Sequence, residues 1–280
     1  MMHTPVDILA LLGGSTRYNL HSHTQFCDGH ADMDAFADAA VSAGFTHYGF
    51  SPHSPVSIPS PCNMPSASVP EYLATVSRLQ QKYAGRIRFL ASMEIDYLGP
   101  EEGPASAYFQ ELPLDYRIGS VHFISNQQGE LFDIDGSFER FSRNMQQHFE
   151  NDIRYVVEEF YRRSVDMVRG GGFDIIGHLD KIAQNATPYA EGVEDRMWYK
   201  DAAHSLIDAV TETGITVEIN TKAYEKTKRI FPTESLVREL KLKGVPMVVN
   251  SDAHYPGLID SGRDYGLWLL RSARSFSFPV

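Results

Sequence analysis

Apolar residues recur along the chain with two different periods, and the alternation between those periods sets its layout. Residues 18–20, 46–50, 86–93, 116–121, 173–177, 215–219 and 245–250 are short apolar runs, with the length and side-chain types of buried strands. Between them the spacing changes to i, i+3, i+4, i+7. Met33, Phe36, Ala37, Ala40 and Val41 form one such stripe, with Asp32 placed to cap it and Gly44 just past its end. Leu73, Val76, Leu79 and Tyr83 mark a second helix over 71–83. The longest stripe runs over 153–168 through Ile153, Val156, Val157, Phe160, Tyr161, Val165 and Val168, stopped by Gly170-Gly171-Gly172. Further helices are expected over about 196–213 and 233–243, and 1–17 read as a short helix and leading loop broken at Gly13-Gly14. Residues 54–70 hold Pro55, Pro59, Pro61, Pro65 and Pro70, with Pro52 just before, so this stretch reads as a long loop able to cover a site.

Strand and helix signals alternate seven times, which predicts a parallel sheet with helices outside. No internal repeat, low-complexity segment or composition shift marks a linker, so the whole of 1–280 is expected to be one domain. An α/β barrel of about seven strands accounts for both the alternation and the placing of the chemistry. In a closed (β/α) barrel the carboxyl ends of the strands form one rim, where active sites are built.

Candidate ligands stand at those ends. His21 and His23 close the first strand, two apart and therefore on one side of it. A lone His-x-His pair is weak evidence, since two half-exposed strand histidines would look the same. Asp28 and His30 follow in the next loop, and His53, Glu94, His122, His178, Asp252 and His254 take equivalent places after later strands. Each alone has an ordinary structural explanation, but a full set of coincidences at strand ends is far less expected than one metal rim. About nine ligands exceed the four of zinc or the six of manganese or iron, so two or three divalent ions are expected. The mixture of imidazole and carboxylate favours zinc, manganese or iron over calcium or magnesium. His3, His47, His148 and His204 lie at strand starts, in helices or near the terminus and read as surface or packing residues.

Charge and composition narrow the partners. A net charge of −11 over 280 residues argues against a general nucleic-acid surface, while a local basic pocket stays open. No run approaches the roughly 20 apolar residues of a membrane helix, and 8–12 is too short for a secretory signal. Two cysteines, Cys27 and Cys62, make no disulfide framework, so a reducing cytoplasm is the expected setting. Cys27 reads as a small thiol beside the site. Homo-oligomer formation is left open, and 272–280 carry no readable role.

The motifs resemble those of the PHP (polymerase and histidinol phosphatase) superfamily. They are His21-Ser-His23-Thr, Pro52-His53-Ser, Met93-Glu94-Ile-Asp, Ile118-Gly-Ser-Val-His122, Ile176-Gly-His178-Leu-Asp, Glu218-Ile-Asn220-Thr and Ser251-Asp-Ala-His254. The last four are similar to the histidinol-phosphatase branch in particular, and the match spans about 18–266. The resemblance implies a distorted TIM-like (β/α)7 barrel with a di- or trinuclear centre that hydrolyses phosphate esters. It carries His21, His23, His53, Glu94, His122, His178, Asp252 and His254 over as ligands, with Glu94 a bridge. A further ligand follows His-x-His in the family, and here both Asp28 and His30 are available for it.

The implied reaction is hydrolysis of L-histidinol phosphate to L-histidinol and phosphate in histidine biosynthesis, by a metal-activated hydroxide. Asp252, with Glu94 and His254 beside it, is the candidate for handling the leaving-group proton. Phosphate also needs a cationic partner, and Lys181, Lys222, Arg229 and Arg263 all follow strand ends. The family resemblance leads one to expect a Gly and an Arg early in the loop after Asn220, where this chain has Ala223 and Glu225, so that clamp stays unassigned. Alternatives are a phosphatase or phosphodiesterase for nucleotides or sugar phosphates, an amidohydrolase-type C–N hydrolase, and a non-catalytic metal-binding module. No lysine stands where amidohydrolases carry their bridging modified lysine, and the complete ligand set speaks against a passive module. Residues 54–70 and 127–135 are expected to shape the pocket.

Overall fold

In the computed structural model the strand signals fold into two parallel sheets and one antiparallel hairpin. Residues 6–272 are described; His3 and 273–280 lie outside the described residues. The first sheet holds β1 (Tyr18–Asn19), β2 (His47–Phe50) and β3 (Arg88–Ala91) in that order. The second holds β4 (Glu94–Asp96) and β5 (Ile118–Ser120), and after the hairpin β6 (Phe123–Ser125) and β7 (Leu131–Asp133) it adds β8 (Ile175–Ile176), β9 (Thr216–Asn220) and β10 (Met247–Asn250). Its order is β10-β9-β8-β5-β4, all parallel.

The strand expected over 86–93 appears as β3, and the segment just beyond it forms a further strand, β4, in the other sheet, which gives eight parallel strands among the described residues where seven were expected. Tyr72 wedges in at the crossing. Its buried hydroxyl accepts from Ser92 N at 3.0 Å and lies 2.8 and 2.6 Å from the Phe50 and Ser92 carbonyls. The bonds to the β2 side continue past it, with Ser92 N donating to Phe50 O at 2.9 Å, Glu94 N to Pro52 O at 3.1 Å and Ser54 N to Glu94 O at 2.8 Å. Past that wedge the chain turns to β5, with Ile118 N donating to Met93 O at 3.0 Å. The ring of strands is also interrupted between β1 and β10. Side chains span that seam: Leu20 N donates to Asn250 Oδ1 at 2.8 Å and Ser251 N to Asn19 Oδ1 at 2.9 Å. Isolated parallel bridges at Ser22–Ala253 and His53–Glu94 join the two sheets at the carboxyl ends. A continuous closed ladder is therefore not formed, and the barrel is distorted at two seams.

The predicted helices appear as Met33–Ser42, Val69–Lys82, Ile153–Gly170, Met197–Thr213 and Glu234–Leu242, each within two residues of the expected ends. Asp32 caps the first through Ala35 N at 2.8 Å. Helices at Ala107–Glu111, Phe138–His148, Ala183–Tyr189, Tyr224–Thr227 and Arg263–Ser272 and the β6–β7 hairpin were not expected; most are short, and Phe138–His148 buries only Phe141 and Met145. Three apolar clusters result. Leu20, Leu90, Tyr116, Ile118, Ile175 and Val248 fill the space between strands, closed off by Ile8 and Leu12 of the short helix Ile8–Leu12. One outer cluster packs Met33–Ser42 and Val69–Lys82 against β2 and β3. The other buries the facing sides of Ile153–Gly170 and Met197–Thr213.

Gly49 is where the interior leaves no room for a side chain. Tyr116, wholly buried, donates its hydroxyl to the Leu20 carbonyl directly over Gly49, and a Cβ there would overlap that oxygen. Gly49→Ala is expected to destabilise the fold by about 1–3 kcal/mol through overpacking. Urea titration checks it, and an unchanged midpoint would show that Tyr116 can give way.

Candidate metal centre

The carboxyl ends of β1, β2, β5, β8 and β10 and the start of β4 converge on one buried group of imidazoles and carboxylates. Glu94, 1 % exposed, lies at its middle. Its Oε1 stands 2.8 Å from His178 Nε2 and 3.4 Å from His122 Nε2, and accepts from Ser120 Oγ at 2.7 Å. Its Oε2 stands 3.1 Å from His53 Nδ1, 3.2 Å from His21 Nε2 and 3.5 Å from His23 Nε2. The two oxygens therefore face different imidazoles, as a bridging carboxylate requires.

Three overlapping ligand groups have all their donor atoms within 4.8 Å of one another: His23, Asp28, His53 and His254; His21, His23 and Glu94; and His53, Glu94 and His122. Several contacts inside them make poor hydrogen bonds and good ligand geometry. His21 and His23 aim Nε2 at Nε2 across 3.3 Å, as do His122 and His178 across 3.1 Å. Asp28 Oδ1 and His53 Nδ1 are buried and make no hydrogen bond among the described residues. Pairs of nitrogens pointing at each other and orphaned lone pairs are what a cation between them would satisfy. The donor set fits divalent metal ions.

The protonation pattern divides the imidazoles: against their burial, Glu218, Glu94 and Asp252 raise His21 to about 10, and neighbouring acidic groups raise His23 and His122 well above the ordinary value, whereas His53 and His254 fall. Burial and the neighbouring charge of His23 and His122 push His53 down to about 3, against the pull of Glu94 and Asp28. Burial and His23 push His254 down to about 4. Neutral imidazoles are the ligating form. Burial would raise Glu94, but His21, His122 and His53 outweigh it and hold the carboxyl well below its ordinary range. Asp252 is likewise held low by Lys222 and His21 against its burial.

A second layer aims these ligands. Asp96 accepts from His122 Nδ1 at 2.6 Å, and Glu218 accepts from His21 Nδ1 at 2.8 Å, so each ring presents Nε2 to the centre. Glu218 also takes His178 N at 3.0 Å and the Asn220 and Asn250 amides at 2.9 Å each. Sequence reasoning quoted Glu218 and Asp96 in motifs without assigning them a role. The signal was the two-residue alternation, which puts Glu218 and Asn220 on the same inward face of β9. The loop 54–70 reaches the same layer, since Asn63 Nδ2 donates to Asp96 Oδ2 at 2.6 Å. His178 and Asp252 hold positive φ of 20° and 49°, backbone strain kept just past the ends of β8 and β10.

The other predicted site residues separate. Asp28 joins the cluster, 3.4 Å from both His23 and His254. His30 does not: it is exposed, and its ring stacks on Tyr255 at 4.3 Å. Lys222 Nζ stands 3.3 Å from Asp252 and 3.2 Å from His254 Nε2. Lys181 pairs with Asp135 at 2.8 Å. Both line a cavity of about 1100 Å³ beside the centre. Arg229 lines it too, but is held by Glu194 through two bonds of 3.0 and 2.6 Å. Arg263 is corrected: it is wholly buried, bonded to Asp260 and to the Val249 and Thr16 carbonyls, and braces the seam away from the rim. Cys27 lies 3.5 Å from His23 Nδ1. Of the histidines read as peripheral, His47 bonds Thr46, His148 stacks on Phe132 and His204 pairs with Glu239.

The chain matches the PHP domain family over residues 19–222. A Deinococcus radiodurans protein assigned as a histidinol-phosphatase is 30 % identical over 244 residues, which is 85 % of this chain and 86 % of that one. The crystal structure of a Listeria monocytogenes protein assigned as a histidinol phosphatase has a TM-score of 0.74 at 22 % identity, covering 90 % of this chain and 99 % of that one. A Lactococcus lactis histidinol phosphate phosphatase, solved with zinc, L-histidinol and phosphate, has a TM-score of 0.67 at 18 % identity, covering 94 % and 95 %. At these identities the structures establish the fold, a distorted TIM-like barrel.

Glu218 orients two ligands without reaching the centre, so its loss is expected to loosen metal before it unfolds the chain. Glu218→Gln is predicted to weaken metal affinity by about ten- to a hundredfold. Competition with a chelator of known affinity measures this, and an unchanged affinity would leave Glu218 with a packing role only.

Proposed function

The chain belongs to the PHP domain family, and on that premise we propose that it hydrolyses L-histidinol phosphate to L-histidinol and phosphate, a step of histidine biosynthesis. The observation that carries the reading is Glu94, whose two oxygens face separate imidazole groups, with Lys222 beside Asp252 and His254 leading into a cavity with cationic walls. Two or three zinc, manganese or iron ions would be held by His21, His23, Asp28, His53, Glu94, His122, His178, Asp252 and His254. When bound, such ions supply Lewis acidity at the phosphoryl oxygens and make water acidic enough to attack near neutral pH.

The chain's own residues do the rest. Lys222, between Asp252 and His254 and open to the cavity, sets a positive charge where phosphoryl oxygens arrive. Lys181 adds a second in the same cavity lining. Asp252 is steadied by Asn220 Nδ2 at 3.1 Å. Its carboxylate is placed to take a proton from the attacking water and return it to the leaving alkoxide, so that the proton count closes. His254, its Nδ1 3.0 Å from the Asp252 carbonyl, keeps Nε2 toward Asp28 and Lys222. Arg263 has no part in this, and Arg229 shapes the far wall through Glu194. Both cysteines are free, which suits a reducing cytoplasm. Among the described residues no helix is long and apolar enough to cross a membrane.

Phosphate release from histidinol phosphate, set against a panel of nucleotide and sugar phosphates on protein with counted metals, tests the reading. Two or three ions per chain, a strong preference for histidinol phosphate, and loss of turnover on chelation with recovery on reloading are the expected results. Preference for another ester would discard the substrate and keep the chemistry. Turnover that survives complete metal removal would overturn the mechanism.

A further inference from the structure

The antiparallel hairpin, absent from the sequence-based expectation, delivers a carboxylate to the cavity beside the centre. β6 begins directly after His122, and β7 returns beside it with Asp133 opposite Phe123. Ile134 N then donates to the His122 carbonyl at 2.9 Å, so Asp135 follows immediately at the mouth of the cavity. Its loop is pinned on both sides. Asp133 Oδ1 accepts from Asp135 N at 2.8 Å and Gly136 N at 3.2 Å. Asn185 Nδ2 donates to the Ile134 and Gly136 carbonyls at 3.0 and 3.1 Å. From the facing loop Lys181, its N bonded to the His178 carbonyl at 2.8 Å, meets the Asp135 carboxylate at 2.8 Å.

Two other carboxylates line the same cavity, and each is committed elsewhere. Glu194 is held by Arg229 and Thr187, and Glu234 by Tyr265 and Arg238. Asp135 differs in being tied to the ligand segments: its neighbour Ile134 bonds the His122 carbonyl, and its partner Lys181 bonds the His178 carbonyl. Burial alone would raise its carboxyl, yet Lys181, His122, His178 and Lys222 together hold it below its ordinary value. The cavity lining thus presents one positive and one negative group side by side, on the segments that follow His122 and His178.

Resting on the reading of the site as a histidinol-phosphate phosphatase, we propose that Asp135, paired beforehand with Lys181, selects phosphate esters bearing an ammonium group on the carbon next to the phosphorylated one. In such an ester the ammonium stays within about 4 Å of the ester oxygen by ordinary bond lengths. Any group that recognises it must therefore lie beside the phosphate site, as Asp135 does and Glu194 does not. A substrate head with adjacent negative and positive ends replaces the ion pair with two: ammonium to Asp135 and phosphate to Lys181. The exchange leaves no buried charge alone, which keeps its cost low. An ester without the ammonium would draw Lys181 away and strand the Asp135 carboxylate, so selection comes from a penalty as well as a gain.

The test compares L-histidinol phosphate with its deaminated counterpart, an imidazolylpropyl phosphate, on wild-type, Asp135→Asn and Asp135→Glu proteins of measured metal content and thermal stability. The wild type is expected to favour the ammonium-bearing ester by about tenfold or more in kcat/KM, the worth of a hydrogen bond to a charged group. Asp135→Asn should bring that ratio to within about threefold of unity, chiefly through KM for the ammonium-bearing ester. Asp135→Glu should keep most of the preference. A wild-type ratio near one overturns the assignment while leaving the phosphatase reading intact, and this needs no variant to fold. A preference that persists in Asp135→Asn, or equal loss on both esters, also overturns it. Release of phosphate from neither ester by the metal-loaded wild type would remove the phosphatase reading itself.

Discussion

A buried carboxylate surrounded by imidazoles is the constraint on which the rest of the structure depends. Glu94 is removed from water, with His21, His53, His122 and His178 around it. An isolated carboxylate in such surroundings would cost several kcal/mol. Cationic compensation at that spot is therefore a condition of stability as well as of chemistry. The imidazoles that surround it come from segments spread over 158 residues, from His21 to His178. Bringing them together is what the barrel does.

Precision in that assembly comes from the second layer. Asp96 and Glu218 fix the rings of His122 and His21, and Asn220 and Asn250 fix Glu218 in turn. Asn250 also accepts from Leu20 N across the seam between the sheets. The side chain that joins the sheets is thus bonded to the carboxylate that orients the ligands. The other seam works similarly. The Tyr72 hydroxyl holds Ser92 where the chain passes from β2 towards β5, and Glu94 begins β4 inside the rim.

Above this floor the cavity is assembled from loops rather than strands. Lys181 and Lys222 rise from the segments after β8 and β9, and the hairpin after His122 brings Asp135 opposite. Rigid strand ends hold the metal ligands, while connecting segments present the charges that meet a substrate. That division lets the rim stay constant while specificity varies with loop sequence.

Local patterns determined much of this. Strand and helix periods, the Asp32 cap and the repeated appearance of His, Glu and Asp after apolar runs each depend on neighbours in sequence, so the α/β alternation and the clustered residues were legible without coordinates. Only the tertiary structure decided whatever depended on distant partners. Asp28 and His30 are indistinguishable in sequence, yet the turn of their loop buries one against His254 and stacks the other on exposed Tyr255. Arg263 follows a strand end as Lys222 does, but the helix it opens buries it against Asp260 and the Val249 carbonyl. The passage from β3 to β4 was hidden because the groups that meet there, the Tyr72 hydroxyl at Ser92 and Ile118 N at the Met93 carbonyl, lie twenty or more residues away in sequence. Spacing along the chain reveals which face a side chain occupies; which partner it meets is set by packing between elements that spacing does not relate.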